Sequence, residues 1–144
     1  MNVVLTDGQQ HIVRFDKGEE VIAGIKDFCD EYEIKAGSLS GIGATGGVVL
    51  SYYKVSEKEY EDKVCEEELE IVSLSGNISR MGSDVVVHAH GVFSDATMKT
   101  YGGHVKKLTV SVTCEVVITT FPGALDRAHD EDTGVNLLVE SDGQ

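Results

Sequence analysis

The sequence feature that most narrows the fold is a contrast of periodicities. One segment repeats its apolar residues at helical spacing, and most of the chain after it runs in β-branched blocks. From Lys17 to Tyr32, the residues Val21, Ile25, Phe28, Cys29 and Tyr32 recur three or four apart and make one apolar stripe. Asp16 and Glu19 stand at capping-box spacing at its start, and Gly37 offers a stop shortly after Ile34. Strands are expected at His11–Phe15, Val48–Val55, Leu69–Ile78, Asp84–Phe93 and Leu108–Phe121, with a last one through Val135, Leu137 and Val139. The combination predicts an α/β fold of the α+β type: a mainly antiparallel sheet with one principal helix packed on it.

A chain of 144 residues is the size of one domain and long enough to close a core. With 41% hydrophobic and 26% charged residues, it is globular in composition. We expect a single compact domain over residues 1–140 and a flexible tail over 141–144. Asp7, Gly8, Gln9, Gln10 and His11 interrupt any export signal near the start, and the apolar runs are too short to cross a bilayer. The expectation is a cytoplasmic protein with no membrane association. Cys29, Cys65 and Cys114 are odd in number and widely spaced, which argues against a disulfide framework. Cys29 and Cys114 read as small core residues.

The net charge is −13, from 25 acidic and 12 basic side chains. Nucleic acid attracts proteins mainly through Lys and Arg, so direct binding of bare nucleic acid is disfavoured. The densest basic cluster is Lys106–Lys107 with Lys99 nearby. Eight acidic residues crowd Glu57–Glu70 against only Lys58 and Lys63, as in a solvated hairpin or edge strand. A docking surface for a basic partner is the sharper alternative for that stretch.

Gly41-Ile42-Gly43-Ala44-Thr45-Gly46 matches a dinucleotide-binding fingerprint letter for letter. That fingerprint works only where a helix begins at the glycines and its amides meet a pyrophosphate. Here Gly47-Val48-Val49-Leu50-Ser51-Tyr52-Tyr53 follows, a run that prefers to extend. No cofactor of that kind is expected. The glycines are expected to let a strand bend, bulge or approach another backbone.

Three of the five histidines, His88, His90 and His104, fall within seventeen residues. In a strand, positions two apart share a face, with Cα atoms about 7 Å apart, so His88 and His90 can converge on one ion. His104 follows Gly102-Gly103, a pair that permits a sharp turn and the return of a third imidazole. Three neutral imidazoles suit Zn²⁺ best, with Ni²⁺, Fe²⁺ or Mn²⁺ as alternatives. The competing reading is three hydrogen-bonded structural histidines beside a core strand. Asp84 and Asp95 are candidates for orienting an imidazole from behind, while His11 and His129 read as ordinary surface or loop residues.

Gly41-Ile42-Gly43, Leu74-Ser75-Gly76-Asn77-Ile78-Ser79, His88-Ala89-His90, Gly102-Gly103-His104 and Glu115-Val116-Val117-Ile118 occur in the order and spacing of a known family. From about Asn2 to Leu138 the chain resembles the PPC domain, the plants-and-prokaryotes conserved domain, also catalogued as a domain of unknown function. The resemblance implies a compact α/β fold, a homotrimer and, in prokaryotic members, a metal that is usually zinc. Its ligands would be His88, His90 and His104. Gly91 departs from the bulkier residue common after the histidine pair. Plant members join the domain to an AT-hook, which this sequence lacks: Arg14, Arg80 and Arg127 are isolated.

These readings converge on a trimeric metal-binding module for a small ligand or a protein partner. The alternative is a metal-dependent hydrolase or lyase using a metal-bound water. Asp95, Glu115 or Tyr101 would then be the candidates for its acid or base, and no catalytic residue is assigned. A third reading, DNA binding, would need a trimer that gathers Lys99, Lys106 and Lys107 into one patch.

Overall fold

In the computed structural model, which describes residues 1–140, the helix is shorter than its apolar stripe. Helix α1 spans Val21–Glu31 and not Lys17–Tyr32, because the chain turns before it. Glu19 does bond back to the Asp16 amide at 2.7 Å, as a capping box requires. The helix itself starts later, on Glu20, whose carboxylate accepts from the Ile22 and Ala23 amides. The same Glu20 carboxylate accepts from the Leu108 amide at 2.9 Å, pinning the helix start to the sheet. Val21, Ile22, Ile25, Phe28 and Cys29 form its buried face.

Nine strands accompany this helix among the described residues: β1 (Asn2–Asp7), β2 (Gln10–Asp16), β3 (Gly37–Lys54), β4 (Glu59–Cys65), β5 (Leu69–Met81), β6 (Asp84–Ser94), β7 (Thr100–Thr120), β8 (Arg127–Asp130) and β9 (Val135–Leu138). Seven pair antiparallel in the order β1-β2-β7-β6-β5-β3-β4, and β3 also pairs with β7, so β7, β6, β5 and β3 close a ring. β8 and β9 make a separate small hairpin. The fold is thus a mostly antiparallel sheet with one helix, as the periodicities predicted. The residues 141–144, expected as a tail, lie outside the described residues. No described helix is long and apolar enough to cross a membrane.

The glycine-rich segment lies inside β3, where no helix begins. A Cβ on Gly43, whose φ is +155°, would stand 2.2 Å from the Thr113 carbonyl oxygen, and the β3–β5 register shifts between Gly41 and Gly43. Backbone approach and a bulge explain the motif, as the sequence reading had it. Cys29 and Cys114 are fully buried, and burial pushes both thiols up to about 12.

Candidate metal centre

Alternation along β6 decides where its histidines point. Val85, Val87, Ala89, Gly91 and Phe93 turn inward to the core, which leaves His88 and His90 on the other face. His104 arrives differently from the sequence expectation. Gly102 and Gly103 do not turn; they lie within β7, which runs antiparallel to β6 with Gly91 opposite Gly103 and His90 opposite His104. What Gly102 supplies is closeness, since a Cβ there would sit 2.7 Å from the Gly91 carbonyl oxygen. The third imidazole is placed by cross-strand register, not by a hinge. Its strand is also flanked by β3, where Ser51 pairs with His104.

The three rings meet. Their centroids lie 5.2 Å (His88–His90), 5.3 Å (His88–His104) and 5.5 Å (His90–His104) apart. One nitrogen from each falls within 4.8 Å of the others. Burial lowers the pKa of His88, with Arg127 and His90 adding to the effect. Burial also pushes His104 down to about 4, helped by the neighbouring His88 and His90. His104 Nδ1 is buried without a hydrogen-bond partner, a costly state for a polar atom. Two imidazoles whose charged forms are disfavoured, three convergent nitrogens and an orphaned ring atom suit a divalent transition metal.

The surroundings differ from those expected. Asp95 does not reach an imidazole: it accepts from the Thr97 hydroxyl and amide, the Lys99 amide and the Tyr101 hydroxyl. Those bonds hold its carboxyl below the usual range, and burial, with the Asp95 bond adding to it, pushes the Tyr101 phenol up to about 12. Asp84 accepts instead from the Ser83 hydroxyl at 3.2 Å. His11 is not a loose surface residue either; it is buried edge-on against Phe28 at 5.3 Å, with Nδ1 3.1 Å from Thr6 Oγ1. His129 is exposed, with Nδ1 3.2 Å from Asn136 Oδ1.

Four neighbours escaped the sequence reading. Tyr60 on β4 lays its ring 5.4 Å from that of His104. Asp62, two residues further along that strand, accepts from Lys106 Nζ at 2.5 Å and from Ser51 Oγ at 2.7 Å, and these bonds lower its pKa. Asn77 faces His88 across β5 and β6. Arg127, read as isolated, reaches within 3.5 Å of His88 Nδ1 from β8. Nothing near Arg127 in sequence foretells this, because its partners on β5 and β6 (Ser79, Asn77 and His88) lie 39 to 50 residues away.

Comparison with known proteins agrees with this fold. A family model, the Plants and Prokaryotes Conserved (PCC) domain, matches residues 4–122. A metal-containing protein from Archaeoglobus fulgidus is 37% identical, with a TM-score of 0.86 over 97% of this chain and 99% of that one. A plant- and prokaryote-conserved protein from Pyrococcus horikoshii is 26% identical, with a TM-score of 0.85 over 98% and 99%. A protein from Bacteroides thetaiotaomicron, named only conjecturally as DNA binding, is 30% identical, with a TM-score of 0.91 over 94% of each chain. No curated protein matches the sequence significantly. Its motifs, its fold and a family match covering most of its length make this chain a member of the Plants and Prokaryotes Conserved domain family.

Proposed function

We propose that this protein is a metal-binding module in which His88, His90 and His104 hold a divalent ion, zinc by preference, for a small ligand or protein partner. The observation that carries the reading is the approach of three imidazole nitrogens to within 4.8 Å of one another, from two strands that share a core. An all-imidazole set suits zinc, and three protein ligands leave one tetrahedral position for water or an outside donor. The similar protein from Archaeoglobus fulgidus is described as metal-containing, which supports a metal here.

The module assembles, on this reading, as a homotrimer. Exposed Ile42 and Val72 line one surface hollow, and Val112 is 70% exposed on the neighbouring β7. Apolar side chains left open on a sheet favour association with further copies. Direct DNA binding is not proposed: the net charge is −13, and Lys106 is already committed to Asp62. A hydrolase or lyase reading gains nothing from Asp95 and Tyr101, which bond each other at 3.1 Å.

Equilibrium dialysis of untagged protein against zinc, with elemental analysis, tests the proposal. Wild type is expected to retain stoichiometric zinc and His90→Ala to lose it. Wild type that emerges essentially free of zinc refutes it. Sedimentation equilibrium tests the trimer independently.

A further inference from the structure

A cavity of about 430 Å³ opens between the histidine cluster and the β8–β9 hairpin. His88 and His104 form one end of it, Tyr60 and Arg127 flank it, and Val86, Val135 and Leu137 supply apolar wall. Arg127 is the unusual member. Its Nε donates to Ser79 Oγ at 2.8 Å, Nη1 to the Asn136 carbonyl at 2.7 Å, and Nη2 to Asn77 Oδ1 at 2.8 Å. Every one of those acceptors is neutral. Arg127 takes part in none of the ion pairs among the described residues, whereas Arg14 and Arg80 both do. A guanidinium has five N–H groups, so this one is fixed in place with donor capacity and a full charge left over.

A half-buried cation, immobilised by neutral partners at the edge of a cavity, is a seat for an anion. The rest of the chain limits which anion. With a net charge of −13, the protein repels multiply charged ligands more strongly than singly charged ones. The apolar wall needs a ligand with a hydrocarbon body. We propose that this cavity binds a small organic monocarboxylate, its carboxylate on Arg127 and its short apolar body against Val86, Val135 and Leu137. A 2-hydroxy acid suits it best, because the hydroxyl adds a donor for the ion's open position. That last feature rests on the metal reading above, whereas the carboxylate seat does not.

The probe is 2-hydroxybutyrate, with 1,2-butanediol as its neutral counterpart and inorganic phosphate as a competing anion. Zinc content is measured separately, and binding is followed on metal-free and zinc-loaded protein by calorimetry and by the Arg127 Nε–H signal in NMR spectra. The acid is expected to shift that signal in both forms, the diol to leave it in place, and Arg127→Gln to weaken binding to the metal-free form roughly tenfold. Stoichiometric zinc with an Arg127 signal that ignores the acid overturns the seat and leaves the metal reading standing. An Arg127 signal that titrates in protein unable to hold zinc sinks the metal reading and supports the seat. Tighter binding of phosphate than of the acid overturns the carboxylate assignment. Should Arg127→Gln fail to fold, the wild-type signal alone decides.

Discussion

His104 offers a test of the site that needs neither metal nor ligand. In metal-free protein its imidazole is pushed down from 6.5 to about 4, because burial and two neighbouring histidines oppose a positive charge there. Between those values the unfolded chain takes up a proton that the folded state refuses. Stability therefore falls as the solution is acidified through that window, by up to about 1.4 kcal/mol per pH unit. From pH 7 to pH 5 the loss from His104 is about 2 kcal/mol, and His88, also lowered, adds in the same direction. The carboxylates Glu19, Asp62 and Asp95 have pKa values lowered from 4.5 and 3.8, so their contributions survive at pH 5 and are lost only further down. The assay is urea unfolding with a chelator present, at fixed protein concentration, followed by circular dichroism because the chain has no tryptophan. His104→Phe keeps a ring beside Tyr60 and removes the titrating group. It should be nearly flat over the interval in which wild type declines, apart from what His88 contributes. A wild type that does not weaken between pH 7 and 5, or a variant that weakens as much, refutes the account of a desolvated cluster.

Gly76→Ala should cost about 3 kcal/mol and lower zinc retention, because the new Cβ would lie 2.2 Å from the His88 carbonyl oxygen and push β5 off β6; thermal melts and zinc analysis read both effects. Arg80→Ala should cost about 2 kcal/mol by chemical denaturation. It would strip the Ile34 carbonyl of its 3.0 Å donor and break the ion pair to Asp30 at 2.8 Å, both of which tie the helix end to β5. Cys29 and Cys114, with thiols raised to about 12, should resist a thiol reagent at pH 8 in folded protein and react fully in urea.

The elements that short-range pattern can encode were legible. The Val21–Cys29 stripe gave the helix, and the β-branched blocks gave β5, β6 and β7 most of their lengths but β3 only its later part, from Val48 to Lys54. What escaped depends on distant partners. β1 has an entirely exposed burial pattern and exists by pairing with β2, so it carries no alternation to read. The helix start moved to Glu20 because that carboxylate also bonds the Leu108 amide, 88 residues away. The histidines were legible as a set because two share one strand face by local geometry. The route of the third was not, since register between β6 and β7 is settled by pairing and not by Gly102-Gly103 alone. Arg127 was invisible for the same reason.

The two halves of the candidate site are built with different stiffness, and this bears on how it would work. The histidines stand on β6 and β7, whose opposite face carries Phe93, Val105 and Leu108, all buried to within 1% exposure. Shifting the backbone of any of the three means moving a strand against a packed core, so the positions from which the rings converge are set by the fold. Arg127 stands instead on a hairpin of two four-residue strands. Its hydrogen-bonded attachments to the rest of the fold are Tyr53 Oη to the Thr133 carbonyl, Lys58 Nζ to the Glu131 carbonyl, and the Arg127 guanidinium to Ser79 and Asn77. Such contacts break at smaller cost than buried apolar packing, which places the hairpin among the segments that open first. A ligand would then enter by displacing the hairpin while the metal end holds its shape. Hydrogen exchange on metal-free protein should accordingly run faster at Arg127–Leu138 than at His88–His104, and equal protection of the two would remove the distinction.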